Sequence, residues 1–172
     1  MNLSGSIGLG TFALTRLARS GHTLSEVADM LNTSEWSDEL DRRQLETLAE
    51  YMDCYEVDEG QTILEEHGDD HHLVMVIAGQ VHIVKTGRGG VRKIITSIGP
   101  GKSFGEMSLI DREPRSAFAV AATPATLLVL SEQSFLRLNE LSPSLGVDLL
   151  MKIARLLSQR LRETTIRLIE FL

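Results

Sequence analysis

The chain has 172 residues, 42% of them hydrophobic and 24% charged, with a formal net charge of −7. This suits one soluble globular domain with extra length at an end. The acidic balance argues against a nucleic-acid-binding surface spread over the molecule, because such surfaces need clustered Lys and Arg. The charge is uneven: residues 143–172 hold five basic and three acidic residues, a net +2, so the remainder carries −9. Cys54 is the single cysteine, so no disulfide within the chain, thiolate-ligated iron–sulfur cluster or Cys-rich zinc site can be built. A reducing, cytoplasmic setting is expected. The apolar stretch 7–17 has no basic region before it, has Arg16 and Arg19 close behind, and is too short to span a bilayer.

Residues 1–22 carry little signal, and Gly5, Gly8 and Gly10 suggest a loose start. Thr23 and Glu26 fit a capping box that opens a helix, with Val27, Met30 and Leu31 as its apolar face. The same stretch echoes the first helix of a helix-turn-helix. The recognition helix would then read "EWSDELDRRQ" and carry acid toward phosphates, so a helix packed on the domain fits better. A second helix is expected from about 38 to 52, with Leu40, Leu45, Leu48 and Met52 facing inward. From Tyr55 to about Leu130 come short runs rich in Val, Ile and Leu ("QTILEE", "HLVMVI", "QVHIVK", "VRKIITSI", "AFAVAAT", "TLLVL"), separated by glycine-containing turns. Six or more strands at this spacing predict a β-barrel, β-roll or jelly roll.

Ser142 and Pro143 supply an N-cap and a first-turn proline for a helix running to the chain end. Leu150, Ala154, Leu157, Leu161, Thr164, Leu168 and Phe171 form a heptad seam, and Leu145, Leu149, Ile153 and Leu156 form a second stripe. Two stripes predict one face on the domain and one on the same helix of a second subunit. The alternative is that both pack on the roll. The expected organisation is an extension with a short helix (1–36), a β-roll with its leading helix (37–142) and a dimerisation helix (143–172). There is no low-complexity segment and no repeat of solenoid length.

The segment "GPGKSFGEMSLIDREPRSA" is rich in site chemistry. A glycine turn leads into Phe104-Gly105-Glu106-Met107-Ser108-Leu109, long enough for one or two helical turns whose first amides lack internal partners. Gly105 permits close backbone approach. Arg115 returns into the β structure, where a buried guanidinium needs an anion. Two pairings are open: Glu106 neutralises Arg115 directly, or Glu106 accepts from a sugar hydroxyl while Arg115 takes a phosphate. Ser116 adds a hydroxyl donor.

The segment resembles the phosphate-binding cassette of the cyclic-nucleotide-binding domain family, which includes bacterial catabolite activators, regulatory subunits of cAMP-dependent kinase and cyclic-nucleotide-gated channels. The matching residues are Phe104, Gly105, Glu106, Met107, Ser108, Leu109, Arg115, Ser116 and Ala117. Upstream, Gly60, Ile63, Gly68, Asp69, Ile77, Gly79 and Val81 follow the family's pattern, and the likeness covers roughly 45–165. It implies a mainly β fold with flanking helices: a jelly-roll-like β-roll with N-terminal helices and a long C-terminal helix. It also implies that Arg115 binds the cyclic phosphate, that Glu106 binds the ribose 2′-hydroxyl, and that the Gly105–Ser108 backbone holds the sugar-phosphate. Ile95, Thr96 and Ile98 are implied to lie beside the base.

In the catabolite activators a threonine and a serine on the long helix read adenine across the dimer. An ungapped comparison puts Arg160 and Leu161 there, a departure, with Thr164 and Thr165 one turn further along. Ser116 stands where a threonine often accompanies cGMP preference, so cAMP is expected, with cGMP as the other possibility. The expected function is a non-catalytic sensor with no metal, no general base beside a nucleophile, no direct DNA binding and no membrane span. Its signal would pass through the C-terminal helix to a separate, unknown protein. Two other readings fit: a ligand-free β-roll scaffold for protein interaction, and a haem or metal sensor using His67, His71 and His72 with Asp69 and Asp70.

Overall fold

The computed structural model describes residues 18–170, with side chains from Ser20 to Ile169. Residues 1–17 of the expected N-terminal extension, and Phe171 of the expected seam, lie outside the described residues. Strand β1 (Ala18–Arg19) leads to helices α1 (Leu24–Asn32) and α2 (Arg42–Ala49). Strands β2 (Met52–Val57), β3 (Thr62–Leu64), β4 (His72–Ala78), β5 (Val81–Thr86), β6 (Arg92–Ile98) and β7 (Ser103–Phe104) follow. Next come the short helix α3 (Glu106–Asp111), strands β8 (Phe118–Ala121) and β9 (Ala125–Ser131), and helices α4 (Glu132–Leu141) and α5 (Pro143–Glu170). The described strands form two antiparallel sheets, ordered β1-β2-β9-β4-β7 and β3-β8-β5-β6. This is the β-roll with flanking helices that the resemblance implied.

Strands β4 and β9 are buried on both faces, which is why their sequences read as continuous apolar runs rather than as alternation. Leu73 and Met75 of β4, with Leu128 and Leu130 of β9, face a core shared with the helices. Val74 and Val76, with Leu127 and Val129, face the interior of the roll beside Ile63, Val81 and Ala119. The period-2 geometry of a strand divides one apolar run between two cores.

Helix α1 begins as expected: the Thr23 side chain accepts from the Glu26 amide and the Glu26 carboxylate accepts from the Thr23 amide. The second helix is shorter than the expected 38–52. Asp41 and Gln44 form a capping box that fixes its start at Arg42, and Met52 already belongs to β2. Leu40 is nevertheless buried, with Trp36, in the helix-side core. Helices α1 and α2 present Val27, Leu31, Leu45 and Leu48 to that core and act as its cover.

Pro143 opens α5, whose stripe of Leu145, Leu149, Ile153 and Leu156 is buried. The other stripe is largely in solvent: Leu161 is 68% and Leu168 61% exposed, and among its described residues only Leu157 is partly buried against the core. The alternative that both stripes pack on the roll is therefore corrected. From Ser158 to Ile169 every α5 residue except the half-buried Arg160 is exposed, so the end of the helix projects beyond the roll.

Candidate functional site

Between the two halves of the cassette lies a cavity of about 310 Å³. Its walls are Leu64 of β3, Ile83 of β5, Thr96 and Ile98 of β6, and Phe118 of β8, closed by the segment from Phe104 to Ala119 and by Arg160 of α5. Phe118 is held from outside by the Arg92 guanidinium, 4.1 Å from its ring centre.

Gly105 has φ +83°, a left-handed conformation. A Cβ there would stand 2.7 Å from the His72 carbonyl oxygen and 2.9 Å from Arg115 Nη1. Glycine thus lets the chain turn into α3 and lets Arg115 lie against its backbone. Phe104, Glu106 and Ser108 are buried, whereas Met107 is 52% exposed at the cavity rim and Ser116 is exposed. The Ser116 carbonyl accepts from Lys85 Nζ, tying the cassette's return to β5.

The two buried charges of the cassette do not pair with each other. Arg115, 3% exposed, donates from Nε and Nη2 to the Asp70 carboxylate (3.3 and 3.4 Å). It also donates from Nη1 to the Gly105 carbonyl and from Nη2 to the His72 carbonyl, both at 2.8 Å. A guanidinium has five N–H groups, so one Nη1 hydrogen has no acceptor among the described residues. Glu106 does not neutralise Arg115. Its Oε1 accepts from Arg160 Nη1, while Arg160 Nη2 donates to the Ser103 carbonyl. The direct Glu106–Arg115 pair is therefore corrected: each buried charge has a different partner, brought in by the tertiary fold. Glu106 Oε2 is buried and has no hydrogen-bond partner among the described residues, an arrangement that costs free energy until a donor arrives.

The sequence does not mark Asp70 and Arg160 as the partners of Arg115 and Glu106: Asp70 enters only the haem or metal alternative, and Arg160 only as a departure at the adenine-reading position of the long helix. Asp70 sits in the Gly-Asp turn before β4, a local signal with no visible target. Arg160 is one of several basic residues on α5, and its local sequence does not show that it reaches Glu106. Around this pair, Ser108 Oγ donates to the Asp70 carbonyl (3.2 Å) and lies 3.0 Å from His71 Nδ1. Burial holds the His72 imidazole below its ordinary value, with the Asp70 carboxylate opposing and Arg115 adding to the depression. Strand β7, which leads into the cassette, is anchored by Glu35, whose Oε1 accepts from the Ser103 amide and hydroxyl at 3.2 and 3.0 Å.

The residues expected beside a base divide between two spaces. Thr96 and Ile98, on one face of β6, line the cassette cavity. They also line a neighbouring cavity of about 340 Å³ between β6 and α5, which adds Ile95, Leu156, Gln159, Glu163 and Thr164 and shares Arg160. Ile95, the extra residue where the β5–β6 register shifts, borders only this second space, and Thr165 borders neither. The Thr164 and Thr165 hydroxyls donate to the Arg160 and Leu161 carbonyls. The histidine turn does not gather a ligand set: among the described residues, the group of three or more metal-ligating side chains with converging donor atoms is His22, Cys54 and Glu56. No helix among the described residues is long and apolar enough to cross a membrane.

The cyclic nucleotide-binding domain profile matches residues 55–140, from within β2 to near the end of α4. The cyclic AMP receptor protein of Thermus thermophilus is 40% identical over 96 residues, covering 56% of this chain and 43% of that protein. The chain thus spans less than half the length of this relative. A cyclic nucleotide-binding domain from Methylobacillus flagellatus superposes with a TM-score of 0.79 at 28% identity, covering 91% of this chain and 89% of that one. The Thermus thermophilus catabolite activator protein superposes with a TM-score of 0.69 at 32% identity, covering 78% of this chain and 62% of that one. The profile match, these likenesses and the buried Glu106 and Arg115 agree: the chain belongs to the cyclic nucleotide-binding domain family.

Proposed function

We propose that the protein is a non-catalytic sensor that binds cAMP in the cassette cavity. The observation that carries the reading is that Glu106, with an unpartnered Oε2, and Arg115, with one N–H unused among the described residues, line the same cavity. A buried acceptor and a buried cationic donor across one space suit a ribose hydroxyl and a phosphate. In this reading the cyclic phosphate meets Arg115 and the Gly105–Ser108 backbone, with Ser116 and Ala117 on its flank. The 2′-hydroxyl donates to Glu106, and Phe104 and Met107 bound the sugar. The purine extends past Thr96 and Ile98 toward the second cavity, where Ile95 and Thr164 stand. Thr165 would act only across a dimer.

The exposed seam on α5 supports a homodimer. A projecting helical end with bare Leu161 and Leu168 is only marginally stable alone in water, and a parallel copy would cover it. Arg160 belongs both to this helix and to the Glu106 pair. Ligand binding at Glu106 would therefore bias the helix, and through it a separate protein partner. The charge balance and single buried cysteine suit a cytoplasmic setting.

A scaffold reading draws on one observation: Arg115 and Glu106 already have partners within the protein, Asp70 and Arg160. Calorimetric titration of denatured and refolded protein with cAMP, then cGMP, separates the two. Saturable heat near one nucleotide per chain supports the sensor. No heat with either nucleotide overturns it and leaves the scaffold.

A further inference from the structure

A second cluster of reactive side chains lies away from the cassette, where the chain passes from β1 to α1. Ala18 and Arg19 pair with Glu56 and Tyr55 of β2, and the Ser20 amide donates to the Cys54 carbonyl at 2.8 Å. This pairing brings His22 over β2. Cys54 and Glu56, two residues apart, share one face of the strand. Donor atoms of His22, Cys54 and Glu56 all lie within 4.8 Å of one another. Cys54 is 3% exposed and Glu56 is at the surface, so the cluster runs from the edge of the core to solvent.

We propose that His22, Cys54 and Glu56 bind a divalent transition ion of the zinc class, which ties the segment between β1 and α1 to strand β2. Thiolate, imidazole and carboxylate are the donors such an ion selects, in contrast to the all-oxygen shells of calcium and magnesium. In a tetrahedral zinc centre with bonds of about 2.0–2.3 Å, donor atoms stand roughly 3.5 Å apart, so a small inward movement completes the site. Both outer ligands are held by neighbouring hydroxyls. Ser20 Oγ bonds His22 Nδ1, and Thr126 Oγ1 donates to Glu56 Oε2 at 3.0 Å. Each retains a second donor atom, and such outer partners are what orient metal ligands.

The charges balance: a dication meets one thiolate and one carboxylate, a neutral set that a partly buried site tolerates. Without an ion, burial pushes the Cys54 thiol up to about 11, and the Glu56 carboxylate pushes the same way. The thiol therefore gives its proton to solvent as the ion binds. Among the described residues no fourth ligating side chain converges with these three, so the fourth position is open to water or a small anion.

The test uses the full chain, freed of metal by chelator and then titrated with Co²⁺. Binding of one Co²⁺ per chain gives thiolate-to-cobalt charge-transfer absorption in the near ultraviolet, which Zn²⁺ then abolishes. His22→Asn and Glu56→Gln lie outside the core and should each weaken Co²⁺ binding about tenfold or more, with cAMP titration unchanged. Cys54→Ser should remove the charge-transfer band. Absence of the band in the wild-type chain overturns the proposal, as does a band unaltered in both His22→Asn and Glu56→Gln.

Discussion

Glu106→Gln separates a ligand-binding carboxylate from a structural one. Glu106 is 3% exposed, with Oε1 held by Arg160 and Oε2 unpartnered among the described residues. The Arg160 side chain is 35% exposed, so solvent screens its half of the pair, and its worth is at most about 1 kcal/mol. Opposing it is the cost of a buried acceptor without a donor, about 1–3 kcal/mol. The amide retains an acceptor for Arg160 and removes the buried charge. Stability in urea should therefore change by less than about 1 kcal/mol. Binding should suffer more. A hydrogen bond from a sugar hydroxyl to a buried carboxylate contributes about 1.5–3 kcal/mol, so the Kd for cAMP should rise roughly ten- to hundredfold. Calorimetric titration and urea unfolding on the same preparation measure both. A stability loss of about 3 kcal/mol or more with unaltered cAMP affinity would refute the reasoning and make Glu106 part of a structural ion pair.

Arg115→Met should be costly in both respects. It strands Asp70 and the Gly105 and His72 carbonyls, so urea unfolding should show a loss of about 3–5 kcal/mol together with loss of nucleotide binding. Leu149→Ala, at a fully buried position of α5, should cost about 2–5 kcal/mol. Leu161→Ala, on the exposed seam, should leave the protomer's own stability within about 0.5 kcal/mol while shifting a monomer–dimer equilibrium toward monomer in sedimentation. Burial works to raise the Glu39 carboxyl, but Lys152 and Arg155 outweigh it and hold the group below its ordinary value. A depressed carboxyl contributes stability above its unfolded value of 4.5 and loses it as pH falls through the lower folded value. The stability difference between wild type and Glu39→Gln should therefore be flat from neutral pH down to about 5 and shrink below that. With Cys54 pushed up to about 11, iodoacetamide near pH 8 should label the thiol only when the chain unfolds.

The local elements of this protein were legible in its sequence because their causes are local. Thr23 and Glu26 close a capping box over three residues, Pro143 starts α5, and the Phe104–Ala117 pattern carries the cassette on one contiguous stretch. The apolar runs announced the strands, and two stripes on α5 announced two faces. Partner choice was not legible. Glu106 and Arg115 are nine residues apart and read as natural partners, yet Arg115 pairs with Asp70, 45 residues earlier, and Glu106 with Arg160, 54 residues later. Which charge meets which depends on where β4 and α5 cross the cassette, and that crossing is set by burial of Leu73, Met75, Leu149 and Ile153 in one core. His22 meets Cys54 and Glu56 for the same kind of reason, through the pairing of β1 with β2. Sequence periodicity fixes which face of an element is apolar; only the packing of those faces against one another decides which polar groups they bring together.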